Sequence, residues 1–235
     1  MFLRGGEGNY PSVLAIVAAL NEEEGIGLTI AELNRYLEKL RVLVVDGNSC
    51  DRTVEFAKDM DADVVCQEGK GKGDAIGHAI KHVGAGADVD YVVFTDADYT
   101  YPAKYLPAMM KILDENPDVG MVCGNRFNHH LDRKAMRNVY YFGNRLIALT
   151  HNLLNGVTLR DPLTGLRIVR WEILKGWKPK AKDFDVEVEL NHHVERKGFD
   201  IKEIDIAYRP RRGEKKLKLK HGATILKRIM MESTY

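Results

Sequence analysis

The chain is short of cysteine, of long apolar runs and of net charge, and each shortage excludes something. Cys50, Cys66 and Cys123 are the only cysteines among 235 residues. An odd number without CxxC spacing or close pairs indicates neither a disulfide framework nor a zinc knuckle, and a reducing cytosol fits best. No stretch approaches the roughly 18 to 20 uninterrupted apolar residues of a membrane span. The first ten residues, MFLRGGEGNY, lack the apolar centre of a signal peptide. The sequence therefore reads as neither secreted nor membrane-spanning. The basic stretch near its end has no interleaved aromatics and fits no nucleic-acid module, so no nucleic-acid partner is expected. The net charge of +1 hides an asymmetry: residues 1–125 hold 11 Lys and Arg against 21 Asp and Glu, and residues 126–235 hold 24 against 13. An acidic first half suits a cation and a basic second half suits phosphate or anionic lipid, unless both are merely solvated faces.

What is present is a regular alternation. Val13–Ala19 is an apolar run of strand length, and Ile26, Ile30, Leu33, Leu37 and Leu40 then recur at helical spacing. Strands follow at Val42–Val45, Val64–Cys66, Tyr91–Thr95 and Val119–Cys123, with helices near Thr53–Met60, Asp74–Val83 and Ala103–Glu115 between them. This order predicts an α/β fold with a mainly parallel sheet flanked by helices, and ligands at the carboxyl ends of its strands. The second half predicts a long helix at Met136–Leu154, a short strand at Leu166–Val169, a helix at Val186–Arg196, a strand at Ile201–Tyr208, a mobile basic loop at Arg209–Lys220 and a last helix at Ala223–Met231. At 235 residues one domain is expected, its pattern changing between about 11–125 and about 126–235.

The sharpest local signal is Asp96-Ala97-Asp98, directly after an apolar strand. Carboxylates at a strand end must be solvated, paired or bound to a cation, because burying them alone costs several kcal/mol each. Hard oxygen donors suit Mg²⁺ or Mn²⁺ shared with a diphosphate. A capped turn before the next helix is the plainer reading. Glu22 in Asn21-Glu22-Glu23-Glu24, Asp46 at the end of the second strand, and Lys72 in Gly69-Lys70-Gly71-Lys72-Gly73-Asp74 all fall near the same predicted sheet edge. Acidic side chains can accept from base and ribose, and glycines let backbone N–H groups approach phosphates. The glycine loop lacks the GxxxxGK[ST] spacing of a P-loop, which argues against a Walker-type NTPase. His78 and His82, at i and i+4, belong on a polar helix face unless further ligands converge.

The ordered series VAALNEEEGI, VLVVDGNSCDRT, GKGKGDA, VVFTDADYTYP, GNRF, DPLTGLRIV, FDVEVEL and GFDIKEIDIAYRPRRGEKKL resembles glycosyltransferase family 2 over about residues 11–230. It is most similar there to the dolichyl-phosphate mannose and glucose synthases and their archaeal and bacterial polyprenyl-phosphate relatives. The resemblance implies a GT-A type, Rossmann-like fold and inverting, single-step transfer of a hexose or N-acetylhexosamine from a nucleotide diphosphate sugar to dolichyl or polyprenyl phosphate. A UDP-sugar is favoured over GDP-mannose by the DGNS and DADYTYP wording. By the same resemblance Asp46 contacts the base, framed by Glu22 and the loop Ala18–Leu20, while Asp96 faces the ribose or sugar and Asp98 ligates the metal. Thr100 stands where the mannose synthases carry a Gln that assists the metal.

For the acceptor phosphate the resemblance points to Arg126 of Gly124-Asn125-Arg126, to Arg137, and to Arg211, Arg212 and Lys216; guanidinium forks and ammonium groups suit phosphate. A phosphate monoester is already ionised at neutral pH, so alignment and charge stabilisation matter more than a strong base. Asp161, Glu187 and Glu189 match acidic positions of the family, in a catalytic or a structural role. Val139, Phe142, Leu146, Leu149 and Leu153, beside Arg133, Lys134, Arg137 and Arg145, form a stripe that suits core packing or a membrane interface. Together these features imply a cytoplasmic enzyme held peripherally on the cytoplasmic membrane face. The alternatives are the same fold with a soluble sugar or glycerate acceptor, or a nucleotide-sugar-binding module without catalysis.

Overall fold

The apolar runs form strands β1 (Val13–Ala19), β2 (Leu40–Asp46), β3 (Asp63–Cys66), β4 (Tyr91–Asp96), β5 (Val119–Asn125), β6 (Arg167–Arg170) and β7 (Asp200–Asp205). They make one sheet in the order β3-β2-β1-β4-β6-β5-β7, in a computed structural model that describes residues 11–127, 147–154, 158–214, 216 and 220–233. The helices are α1 (Ile26–Tyr36), α2 (Thr53–Asp59), α3 (Lys72–Val83), α4 (Leu106–Glu115), α5 (147–154), α6 (Trp171–Leu174), α7 (Val186–Arg196) and α8 (Lys220–Glu232). Strands β1 to β4 are parallel, β6 runs antiparallel to both β4 and β5, and β7 is parallel to β5. The mainly parallel α/β expectation holds.

β1 lies inside the sheet between β2 and β4, which is why it reads as a continuous apolar run. Val13, Ala15 and Val17 pack with Ile26, Ile30 and Leu33 of α1 and with Leu106, Met109 and Leu113 of α4. Leu14 and Ile16 pack on the other face with Ala75, Ile76, Ala79 and Ile80 of α3 and with Trp171 and Trp177. Each fully buried Ile or Leu here stabilises the fold by about 1.5–3 kcal/mol. α1 stops at Tyr36, earlier than its stripe suggests: Lys39 takes a left-handed conformation with φ +47°, and Leu40 opens β2 instead of closing the helix.

β7 ends at Asp205, short of the expected Tyr208, because the backbone beyond it turns to other partners. The Ala207 N–H donates to the Tyr105 hydroxyl at 3.0 Å and the Arg209 N–H to the Thr100 carbonyl at 2.9 Å. Nor do the described residues of the basic loop hang free. Arg209 forms two bonds to Glu32 of α1 at 2.7 and 2.6 Å, and Lys216 Nζ reaches the Asn21 carbonyl at 3.2 Å.

Of the long helix expected at Met136–Leu154, only 147–154 is described, so Val139, Phe142 and Leu146 lie outside the described residues, as do Arg133, Lys134, Arg137 and Arg145. Core packing is overturned for the two described members of the stripe: Leu149 and Leu153 are exposed, while Ile147 and Ala148 turn inward. No helix among the described residues is long and apolar enough to cross a membrane.

Candidate active site

The chain leaves β1 for β2 on one side and places β4 on the other, so the topology switches between β1 and β4. In open α/β sheets ligands bind at such a switch, outside the carboxyl ends of the strands. Ala18 is level with Asp96 across this gap, and Ala19 with Asp46 on the other side. Two loops meet above the edge: the Asn21 N–H donates to Ser49 Oγ at 2.8 Å, the Glu22 N–H to Thr53 Oγ1 at 2.8 Å, and the Cys50 N–H to Asn21 Oδ1 at 2.9 Å.

α1 holds the Asp-Ala-Asp segment from below. Thr29 Oγ1 donates to the Ala97 carbonyl at 3.3 Å and accepts from the Tyr99 N–H at 3.2 Å, and Tyr99 itself sits at φ +62°. A Cβ on Gly25 would fall 2.5 Å from the Ala97 oxygen, so only glycine lets α1 start this close. Asp98, thus fixed, is buried; its Oδ1 accepts from both the Thr100 hydroxyl at 2.6 Å and the Thr100 N–H at 3.1 Å. Its Oδ2 receives Arg211 Nη1 at 2.5 Å, and the other terminal nitrogen of Arg211 bonds Glu22. Burial and the neighbouring Asp96 charge raise the Asp98 carboxyl above the usual range, against the pull of Thr100 and Arg211. Burial likewise pushes Glu22 up to about 7, although Arg211 and Lys216 oppose it.

Beside this pair lies a second one. Lys72 Nζ is 2.6 Å from Asp96 Oδ1 and 2.7 Å from Glu187 Oε1 of α7. Burial by itself would raise Asp96; the Lys72 charge and hydrogen bond, helped by Arg126 and Arg211, outweigh it and hold this carboxyl below its ordinary value. Gly165 lies so close that a Cβ there would meet Asp96 Oδ2 at 2.7 Å. Gly165→Ala is therefore expected to push Asp96 off Lys72 and weaken ligand binding at this edge about tenfold or more, the usual cost of displacing a side chain one step from a ligand. Calorimetric titration checks it, and unchanged affinity would remove Asp96 from the site.

Arg126 forms the third group. Its Nε and Nη2 donate to the two oxygens of Asp161 at 2.7 and 2.8 Å, and its backbone N–H adds a bond to Oδ2 at 3.1 Å. Asp161 is 1% exposed and itself fixed by Glu203, whose carboxylate accepts the N–H groups of Arg160 and Asp161, both at 2.8 Å. The Arg126 guanidinium sits 6.0 Å from the Tyr101 ring centroid, 5.4 Å from Tyr208 and 5.5 Å from Phe127. Burial works against the Arg126 charge, and Asp161 more than offsets it.

The structure thus brings Glu22, Asp96, Asp98, Thr100, Lys72 and Arg211 together, with Arg126 and Asp161 on the β4–β5 side. Three of the expected residues have partners within the protein. Both oxygens of Asp161 are held by Arg126. The Thr100 hydroxyl donates to Asp98, which fixes the carboxylate's orientation. Arg211 bridges the acidic pair of Asp98 and Glu22.

Asp46 reaches the same edge but alternates with Val45 onto the α1 side of the sheet, two strands or about 10 Å from Asp96. Its Oδ2 accepts from the Ser49 N–H at 3.0 Å, while its buried Oδ1 has no protein donor. Ala18 is half-buried and Leu20 exposed, and Leu20 packs close to Gly47. Arg212 is exposed, with its N–H on the Asp98 carbonyl at 3.1 Å. Arg137 lies outside the described residues. Reading the sequence missed the link of Lys72 to Glu187, the cage of Tyr101 and Tyr208 around Arg126, and the part of Glu203; only the match of Glu187 to an acidic position of the family pointed toward any of these.

The donor set accords with a divalent cation. Asp98 and Glu22 are hard oxygen donors short of positive charge even with Arg211 between them, and Glu22 Oε2 is buried without a hydrogen-bond donor. No group of three or more His, Cys, Asp or Glu among the described residues could cage an ion alone. Among the described residues no zinc partners converge on His78 and His82. Such a site suits Mg²⁺ or Mn²⁺, which keep waters and take their remaining oxygens from phosphate.

Comparison with known proteins agrees with this geometry. The model of glycosyl transferase family 2 matches residues 14–176. A dolichyl-phosphate hexose transferase of Haloferax volcanii is 33% identical over 228 residues, covering 95% of each chain. Glycosyltransferase AglJ of the same organism is 32% identical over 203 residues, 85% of this chain and 64% of its own length. Among solved structures, glucosyl-3-phosphoglycerate synthase from Mycobacterium tuberculosis, in complex with Mn²⁺, UDP-glucose and phosphoglyceric acid, superposes with a TM-score of 0.75 at 21% identity, covering 95% of this chain and 80% of that one. Its likeness shows the GT-A-like fold. With the family model spanning β1 through β6 and the strand-end carboxylates where that fold binds its ligand, this chain belongs to glycosyltransferase family 2.

Proposed function

We propose that the chain is a metal-dependent hexosyltransferase that moves a hexose or N-acetylhexosamine from a nucleoside diphosphate sugar, preferably a UDP-sugar, to dolichyl or polyprenyl phosphate. The observation that carries the reading is the pair of acidic centres at the β1/β4 edge, Glu22 with Asp98 and Asp96 with Glu187, each two carboxylates held by one cationic side chain. A site that spends Arg211 and Lys72 on its own carboxylates is built for a ligand carrying both a cation and an anion. The similarity to the Haloferax dolichyl-phosphate hexose transferase over nearly the whole chain supports the lipid phosphate as acceptor.

In this reading Asp98, with Glu22 beside it, holds Mg²⁺ or Mn²⁺. The ion, when bound, neutralises charge that develops on the leaving diphosphate. Asp96 and Lys72 orient the sugar side of the donor, and Asp46, with its open Oδ1, accepts from the base. Arg126, pre-set by Asp161, binds the acceptor phosphate together with Arg211, Arg212 and Lys216. An oxygen of that phosphate forms the new bond to the anomeric carbon as the bond to the diphosphate breaks on the opposite face. The configuration inverts and nucleoside diphosphate leaves. The acceptor arrives ionised, so the protein's part is alignment and charge stabilisation. Exposed Leu149, Leu153 and Leu154 on α5 and Met230 and Met231 on α8 give apolar surface for a peripheral position on the cytoplasmic membrane face.

Radiolabelled UDP-hexoses and GDP-mannose, with Mn²⁺ or Mg²⁺ and polyprenyl phosphate in detergent, test this reading. Label should enter the organic phase with at least one donor and vanish with chelator. Label that passes only to 3-phosphoglycerate or another soluble acceptor would overturn the lipid reading and keep the donor site.

A further inference from the structure

A buried ionic cluster lies outside the sheet edge, where the last helix meets α7. Arg228 of α8 is 9% exposed; its Nε donates to Asp185 Oδ2 at 2.9 Å, and its Nη1 lies 3.3 Å from Glu232 Oε1 and 3.8 Å from Glu189 Oε2. Ile225 and Ile229 flank it and pack on Val188. Glu189 has a second task. Its carboxylate accepts the Lys180 N–H at 2.7 and 3.0 Å and the Ala181 N–H at 2.5 Å, which clamps the loop before α7.

That loop lies directly on the glycine loop of the site. The Asp74 N–H donates to the Lys182 carbonyl at 3.2 Å. A Cβ on Gly73 would be 2.3 Å from the Ala181 oxygen, and one on Gly71, at φ +89°, would be 2.3 Å from the Lys182 oxygen. Between these two glycines stands Lys72, whose ammonium reaches Asp96 and Glu187. The start of α7 therefore faces two ways. Asp185 and Glu189, four residues apart, share the side toward Arg228, and Glu187, about half a turn round, faces Lys72.

We propose that Arg228 is a positioning residue for the nucleotide-sugar site: by fixing Asp185 and Glu189 it sets the 180–182 loop and the first turn of α7, and so fixes Lys72 against Asp96. The inference rests on the donor-site reading given above. It makes the C-terminal helix, remote from the sheet edge, part of what determines donor affinity.

The test uses the full chain and titrates UDP-glucose or GDP-mannose in the presence of Mn²⁺. Arg228→Met and Glu189→Gln are each expected to weaken binding and raise the donor KM about tenfold, the usual cost of losing a partner one step removed from a ligand. Acceptor KM and kcat should stay within about twofold, Arg228→Lys should restore most of the affinity, and amide exchange across Gly69–Ala75 should quicken in Arg228→Met. Glu189→Gln preserves volume, so it reports on the clamp even where Arg228→Met fails to fold. A lowered melting temperature with wild-type donor affinity in the folded variants would overturn the inference, since Arg228 would then serve stability alone. A wild-type chain that binds none of these donors would overturn the donor reading and this inference with it.

Discussion

Asp98→Asn is expected to reduce transfer by about three orders of magnitude while leaving the fold intact. The substitution keeps the side chain's shape and lets Thr100 retain its contact, but it removes the negative charge that holds a divalent ion. Charge stabilisation by a metal at a leaving group is worth several kcal/mol, and each 1.36 kcal/mol is about tenfold in rate. Nucleotide diphosphate affinity should lose its dependence on Mn²⁺ in the variant, measured by titration with and without the ion. Removing a carboxylate that burial and Asp96 already hold above its usual pKa relieves like-charge repulsion, so the melting temperature should hold or rise. Retained metal dependence would mean that the cation sits elsewhere.

Lys72→Met should act on stability as well as on activity. The ammonium lies between Asp96 and Glu187, and its removal leaves two carboxylates facing one another with little solvent. Breaking a buried ion pair from one side typically costs about 3–5 kcal/mol, and the side-chain exposure of Asp96, 31%, puts the expectation near the lower figure. The loss should depend on pH with a definite sign. In the wild type the Asp96 carboxyl is held below its ordinary value of 3.8, so its contribution is present above that value and fades as pH falls through the lower folded pKa. Without Lys72, burial and the facing Glu187 raise the Asp96 carboxyl. The variant is then steadiest in acid, where that carboxyl is protonated, and loses stability as pH rises through the raised value. Denaturant titrations at pH 7.5 and pH 4.5 should show a deficit of about 3 kcal/mol at the first and a clearly smaller one at the second. Equal deficits at both would mean that the two carboxylates do not share the lysine.

Much of the frame was legible because burial on both faces leaves a one-dimensional trace. Val13–Ala19 and Tyr91–Thr95 are uninterrupted apolar runs because each lies inside the sheet, and the turn chemistry after them marks the strand ends where ligands gather. Asp96 and Asp98 could be singled out because charge straight after such a run needs a partner. The same logic failed at Leu40, where helical spacing continued past the helix: periodicity does not register the left-handed turn at Lys39. It failed also at Leu149 and Leu153, whose spacing is that of a core stripe although they face outward.

The sequence by itself determined the alternating order of strands and helices, the sheet edge at which chemistry would gather, and the residue types available there. Those follow from local hydrophobic period and from the cost of burying charge, which act on neighbours along the chain. Only the tertiary structure decided the partners. Arg211 meets Glu22 and Asp98 across 189 and 113 positions. Asp161 holds Arg126 from 35 positions away, and Arg228 of the last helix holds Asp185 and Glu189 at the start of α7. Such pairings depend on which loops a parallel sheet brings side by side, a property of topology that no spacing within a single segment records.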